Sequence, residues 1–238
     1  MAKIVVRQAV RSDIEIYEAL QASRWREENI ASHKNLLSRF RTYPQGMLVA
    51  EEDGEIVGMV YAMRIADYDE AHPSSWYEIT NDGACDNHVP DGPILFGVDL
   101  TTLPGVGARA GDALLVGIGQ MAIQYNIQWC ILGGRMPGYH RHKATMTADE
   151  YLWKKNKHGK FLDRQVRFYA SVPGLKVVRV IPNYFDDPDS DDNGVLLRWR
   201  NPFYNWPFHS ILARVFPHLL DIEDAYRVAQ RRLRAIRK

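Results

Sequence analysis

The scarcities of this sequence narrow the field first. Only two cysteines occur in 238 residues, Cys85 and Cys130. Far apart and without a pairing pattern, they make no disulfide framework and point to a reducing, cytoplasmic setting. No apolar run approaches the roughly 20 residues that a membrane-spanning helix needs. Basic and acidic side chains nearly cancel, 30 Lys and Arg against 29 Asp and Glu. A net charge of +1 gives no global reason to expect nucleic acid or an anionic surface. The N-terminus shows no basic, apolar, small-residue signal pattern. There is no internal repeat and no low-complexity tract. His140 and His142 lack a third ligand nearby, so no metal is expected. What is present is 46% hydrophobic content, enough for the core of one domain with an appendage.

The stretch 94–135 organises the rest. It reads as a strand over 94–100, a loop rich in glycine and alanine, a helix over about 112–125, and a second strand over 129–132. Such a crossover pairs its strands in parallel or splays them to either side of a cleft. The loop holds Val106, Gly107, Ala108, Arg109, Ala110 and Gly111, with Asp112 opening the helix. Small side chains there let backbone N–H groups converge on one spot, and the first helical turn adds free donors and partial positive charge. That is an anion site suited to phosphate. A dinucleotide-binding turn fits less well, because the element comes late and no acidic residue closes the second strand. A plain packing turn would look the same.

Around this unit lie a first strand over 3–8, a helix from Ser12 and Asp13 to about residue 24, and a second helix over about 32–40. The first helix buries Ile14, Ile16, Tyr17, Leu20 and Trp25, and the second buries Leu36, Leu37 and Phe40. A hairpin over 47–61 turns at Asp53-Gly54. Residues 66–93 read as a long loop carrying Trp76, Glu78, Thr80, Asp82 and His88. In a second insertion, His140 and His142 have strand-like spacing and would face the same way. Thr147 and Glu150 make a capping box for a short helix that would act as a lid through Tyr151, Leu152 and Trp153. Two final strands, 177–182 and 195–199, flank an acidic connector that reads as a solvated turn, since it lacks the spacing and closing Glu of a calcium loop. Beyond residue 200 come an aromatic linker, an apolar stripe ending in Leu219 and Leu220, and a helix running from acidic to basic.

The segment Val106-Gly107-Ala108-Arg109-Ala110-Gly111, followed by Asp112-Ala113-Leu114-Leu115, resembles the coenzyme-A-binding core of the GNAT (Gcn5-related N-acetyltransferase) superfamily. The final glycine fits as Gly111, while Arg109 stands at the middle glycine position and Val106 at the usual leading Gln or Arg. Two further matches follow the family's order. Arg167-Phe168-Tyr169, with Gly174 and Leu175 beyond, looks like the end of the family's last helix, and residues 47–61 read as its central hairpin. Residues 133–140 and Pro182-Asn183-Tyr184 are similar to GNAT domains fused to carbon–nitrogen hydrolases, and more distantly to GNAT-like loading domains of polyketide synthases.

The resemblance implies an α/β (α+β) domain over 1–200. Its mixed central sheet has splayed parallel strands flanked by helices, and a helical extension follows over 201–238. It implies acetyl-CoA or another acyl-CoA as co-substrate and direct acyl transfer to an amine or thiol. A backbone N–H between Asp99 and Thr101 would polarise the thioester, with Leu100, Thr101 and residues Val106 to Asp112 holding the coenzyme. Tyr169 would protonate the leaving thiolate, and Asp99, Glu78 or His140 would serve as base. Two other readings stand beside it: a non-catalytic assembly module, and a malonyl-thioester decarboxylase that loads a carrier protein. Some loading domains use a histidine where this chain has Tyr169. The acceptor would be a small molecule or a carrier protein. The C-terminal helix would be self-stabilising, dock an acidic carrier or second subunit, or touch a membrane.

Overall fold

The structure, a computed structural model, describes residues 3–216. Seven strands form one sheet in the order β1-β2-β3-β4-β5-β7-β6. They are β1 (Ile4–Gln8), β2 (Met47–Glu52), β3 (Glu55–Ile65), β4 (Ile94–Thr102), β5 (Trp129–Gly134), β6 (Lys176–Ile181) and β7 (Gly194–Arg200). Every neighbouring pair is antiparallel except β4 and β5, which run parallel. The hairpin between β2 and β3 turns on Asp53 (φ 54) and Gly54 (φ 86), the left-handed pair that matches strand twist in a two-residue turn.

Helices α1 (Asp13–Ala22) and α2 (His33–Thr42) cover one face of the sheet. Ile14, Tyr17, Leu20 and Leu36 pack there against Met59, Tyr61, Phe96 and Val98. Ser32 caps α2 by accepting the Asn35 N–H, whereas Ser12, before α1, makes no side-chain cap bond. The other face carries α4 (Gly107–Gln124), whose Ala110, Leu114 and Ile118 pack on Leu48, Val60 and Leu95. Helices α5 (Ala148–Trp153) and α6 (Arg164–Tyr169) close the far half of the sheet around Met136, Val166 and Leu197.

Several expectations change. Helix α4 starts at Gly107, not near residue 112. Alanine and arginine are good helix formers, and the break in direction falls earlier, at Gly105 with φ 88. The segment 66–93 is not structureless: α3 (Trp76–Thr80) lies within it, opened by a capping box between Ser75 and Glu78. Tyr151 and Leu152 are buried among Met136, Val166 and Leu197, so α5 is wall rather than lid. His140 lies within a 3-10 turn, Tyr139–Arg141, and His142 directly follows it, so neither is in an extended segment. The acidic connector is not merely solvated, because Asp187 is buried and paired with Arg135.

After β7 the chain turns back, and residues 209–216 form a helix. Its Ala213 and Phe216 pack on Ile123 and Trp199. The expected stripe residues Leu219 and Leu220, and the acidic-to-basic run after them, lie outside the described residues. Among the described residues no helix is long and apolar enough to cross a membrane.

Candidate active site

The parallel pair is brief. Strands β4 and β5 are in register only from Ile94 with Trp129 to Gly97 with Leu132. Beyond that point both strands continue but part, and a cleft of about 780 Å³ opens between them. That size suits a cofactor-sized ligand. Parallel strands that diverge leave unpaired backbone groups along both inner edges, which a bound ligand can satisfy.

The register of β3 and β4 shifts between Tyr61 and Ala62. This bulge changes the expected alternation. Val98 packs into the α1 and α2 core, and Asp99 bonds to residues of the same two helices, so the neighbours share a face. The sequence pattern, with strict alternation, puts them on opposite faces.

Asp99 sits in a buried polar cluster. Arg39, 1% exposed, donates to Asp99 Oδ2 at 2.6 Å and to the Gly83 carbonyl at 2.7 Å. Gln21 Nε2 donates to the same Oδ2 at 3.2 Å. Asp99 Oδ1 accepts no hydrogen bond of ordinary geometry. Burial pushes the Asp99 carboxyl up to about 8. The Arg39 charge beside it favours the ionised form.

At the end beside the start of α4, Leu103, Pro104, Gly105 and Gly111 line the cleft, with Leu100 and Thr101. A Cβ placed on Gly105 would meet nothing within 4 Å, so the backbone there is open. Val106 caps α4 without a side-chain bond, and Gly107, Ala108 and Arg109 form its first turn. Arg109 does not plug the turn: its guanidinium reaches Glu52 on β2 at 2.6 Å. Val106 and Ala110 pack into the core beneath α4, and Asp112 is exposed. Of the residues assigned to the coenzyme from sequence, the cleft therefore gathers Leu100, Thr101 and Gly111. Pro104 and Gly105 join them, and their signal was the same run of small residues, two places earlier.

Tyr169 ends α6 and lines the cleft from the other side. Asp163 caps this helix by accepting from the Gln165 and Val166 N–H groups at 2.7 and 3.1 Å. The same carboxylate accepts from Gly138 N–H and the Tyr151 hydroxyl, which ties the insertion to α6. The Tyr169 ring lies on Gly134: a Cβ there would come within 2.8 Å of it. Burial raises the phenol above its ordinary pKa, against a hydrogen bond with Gln165 and the Arg135 charge.

Two candidate bases stand elsewhere. Glu78 is held in its capping box by Ser75, and the His140 ring is engaged with the Pro137 carbonyl at 2.7 Å. Neither lines the cleft, whereas Asp99 does. Among the described residues, no group of three His, Cys, Asp or Glu side chains is arranged to hold a metal.

Sequence reasoning missed two arginines. Arg39 lies beside the apolar stripe of α2 and would ordinarily be solvated. Arg135 stacks over the Trp25 ring at 5.2 Å and is gripped by both carboxylate oxygens of Asp187 at 2.7 and 2.5 Å. Trp25 itself lines the cleft and donates from its indole to Thr101 Oγ1 at 2.8 Å.

No protein-family model matches this chain. It is 31% identical over 85% of its length to "Probable hydrolase YhcX" of Bacillus subtilis (strain 168), but spans only 39% of that protein. It is 28% identical to "Uncharacterized N-acetyltransferase YkwB" of the same organism, over 76% of each chain. Among solved structures, the loading GNATL domain of CurA from Lyngbya majuscula superposes with a TM-score of 0.73, at 22% identity, covering 84% of this chain and 98% of that one. A GNAT-like decarboxylase, GphF, in complex with isobutyryl-CoA gives a TM-score of 0.71 at 27% identity, covering 83% and 99%. Splayed strands, sheet order and these likenesses together show that this chain has the GNAT fold.

Proposed function

We propose that this chain is an acyl-CoA-dependent acyltransferase that moves a short acyl group directly to an amine or thiol. One observation carries the reading: the β4–β5 splay joins the open backbone at Gly105 to the buried phenol of Tyr169 within a single cleft. The loop and first turn of α4 supply N–H groups for a diphosphate. Tyr169 lies farther along the same cleft, where the leaving sulfur would arrive.

Holding thioester and acceptor together removes much of the entropic barrier. The bulged stretch of β4 offers a backbone N–H to the thioester oxygen as negative charge develops there. The acceptor's lone pair forms the new bond to the acyl carbon while the carbon–sulfur bond breaks. Tyr169, kept neutral by burial, donates its proton to the departing thiolate and recovers one from solvent. Asp99, directly or through water, takes the proton that the acceptor loses.

The acceptor would be a small molecule or a carrier-protein thiol, with the C-terminal extension as a docking or dimer element. Two buried, unpaired cysteines support a reducing cytoplasm. The likeness to GphF favours a second reading, decarboxylation of a malonyl thioester in the same cleft. A thermal-shift titration with coenzyme A tests the common ground, since binding must raise the melting temperature. Incubation with acetyl-CoA and a panel of amines and carrier thiols, or with malonyl-CoA alone, then separates the two by product mass. No shift with coenzyme A would leave only an assembly role for the fold.

A further inference from the structure

The cleft does not end at the fork between β4 and β5. Its inner lining includes Val60 and Ala62 of β3, Leu95 of β4, Leu115 and Ile118 of α4, and Cys130 of β5. These belong to the α4 side of the sheet, where Val60 is 3%, Ala62 0% and Leu95 1% exposed. They border the inner end of the cleft while being almost closed to solvent. A smaller apolar cavity of about 50 Å³ lies beyond. It shares Leu115, Ile118, Cys130 and Leu132 with the cleft and is walled by Trp199 and Phe216.

Transfer of an acetyl group needs none of this. The thioester carbonyl sits at the fork, and a methyl group reaches no farther. An apolar lining of this kind favours apolar ligands, because it has unused dispersion contacts and offers water few partners. Gly97 keeps the entrance open: a Cβ there would meet Leu132 Cβ at 3.0 Å, at the last paired position of the fork.

We propose that this inner pocket is an acyl-tail subsite, so that the preferred donor carries an aliphatic chain between butyryl and octanoyl rather than acetyl. The inference rests on the acyl-CoA reading above and adds the class of acyl group. Tail atoms would pass Gly97, lie between Leu95 and Ile118, and end toward Trp199 and Phe216. Each methylene taken out of water is worth about fourfold in affinity until the pocket is full.

The test is the affinity of the full chain for free coenzyme A and for acetyl-, butyryl-, hexanoyl- and octanoyl-CoA, measured by calorimetry. Affinity should rise along the series from acetyl, by about 15-fold for each added pair of carbons until the pocket is full. Ile118→Phe, which fills the pocket from α4, should flatten that rise while leaving the affinity for free coenzyme A unchanged. Cys130→Leu fills it from β5 and should do the same, so one poorly folded variant does not decide the matter. A flat or falling series, with free coenzyme A still bound, overturns the subsite and leaves the acyltransferase reading intact. Failure of free coenzyme A to bind at all overturns both.

Discussion

The guanidinium of Arg39 lies 2.6 Å from Asp99 Oδ2, and the two side chains are 1% and 11% exposed. The pair crosses from α2 to the bulged part of β4, so it fixes one wall of the cleft. A buried ion pair is a weak source of net stability, but removing one partner leaves an uncompensated charge.

Arg39→Met should therefore destabilise the fold most in alkaline solution, where Asp99 is ionised and the missing cation leaves a buried carboxylate unpaired. The loss should depend on pH in a defined direction. Asp99 already titrates above its unfolded value, at about 8. Without the arginine its folded pKa rises further, so the folded state binds a proton that the unfolded chain has released. Stability then falls as pH rises from the unfolded carboxylate value, about 3.9, through the folded one. Thermal melts of the variant should show a small deficit at pH 5 and a large one at pH 8.5. A deficit of equal size at both would mean that Asp99 is not the group left behind.

Tyr169→Phe keeps the ring on Gly134 and removes the proton donor. Thiol release from acyl-CoA in a single turnover should slow by about a hundredfold or more, with coenzyme A affinity unchanged. The raised phenol pKa also has a sign: the acid form persists through neutral pH, so no fall in rate from Tyr169 is expected below its ordinary value near 10. An undiminished rate in the phenylalanine variant would remove this residue from the chemistry.

The sheet was legible where local rules dominate. Thr147 with Glu150, and Asp53-Gly54, announce their cap and turn through residues that act within four positions, and both are found. The fork was legible as a strand, small-residue turn, helix and strand. What could not be read is nonlocal. A bulge rotates Asp99 onto the face of Val98, and no residue type in β4 signals it. Arg39 reads as a solvated neighbour of a stripe until Gly83, 44 positions away, supplies an acceptor. Glu78 looked catalytic because it stands in a loop near the central strand, but the serine three positions before it already uses its carboxylate.

Asp187 ties the acidic connector to the cleft through Arg135. Burial alone would raise its carboxyl, but hydrogen bonds from Arg135 and Ser190 hold it below the ordinary value. Its contribution is thus present above the unfolded carboxylate range and lost as pH falls through the depressed folded value. Asp187→Asn should cost about 1–3 kcal/mol at pH 7. The gap between variant and parent should close in acid, below about pH 4. Melting temperatures across that range check both parts, and a gap that persists in acid would contradict the ion-pair account.

Gly134 is where packing and chemistry meet. A Cβ there would stand 2.8 Å from both the Tyr169 ring and Leu197 Cδ1. The leucine tip can swing, but the ring is confined by the core around Val166, so Gly134→Ala should displace the phenol. Overpacking of this kind costs about 1–3 kcal/mol. The rate should also fall, through the moved hydroxyl rather than through lost fold. A double-mutant cycle distinguishes the two effects. In a Tyr169→Phe background the ring still clashes, so the stability cost of Gly134→Ala persists. The hydroxyl is gone, so the rate cost disappears. If the rate falls equally in both backgrounds, Gly134 acts on something other than Tyr169, and the cleft wall at β5 must contain another group that matters to the reaction.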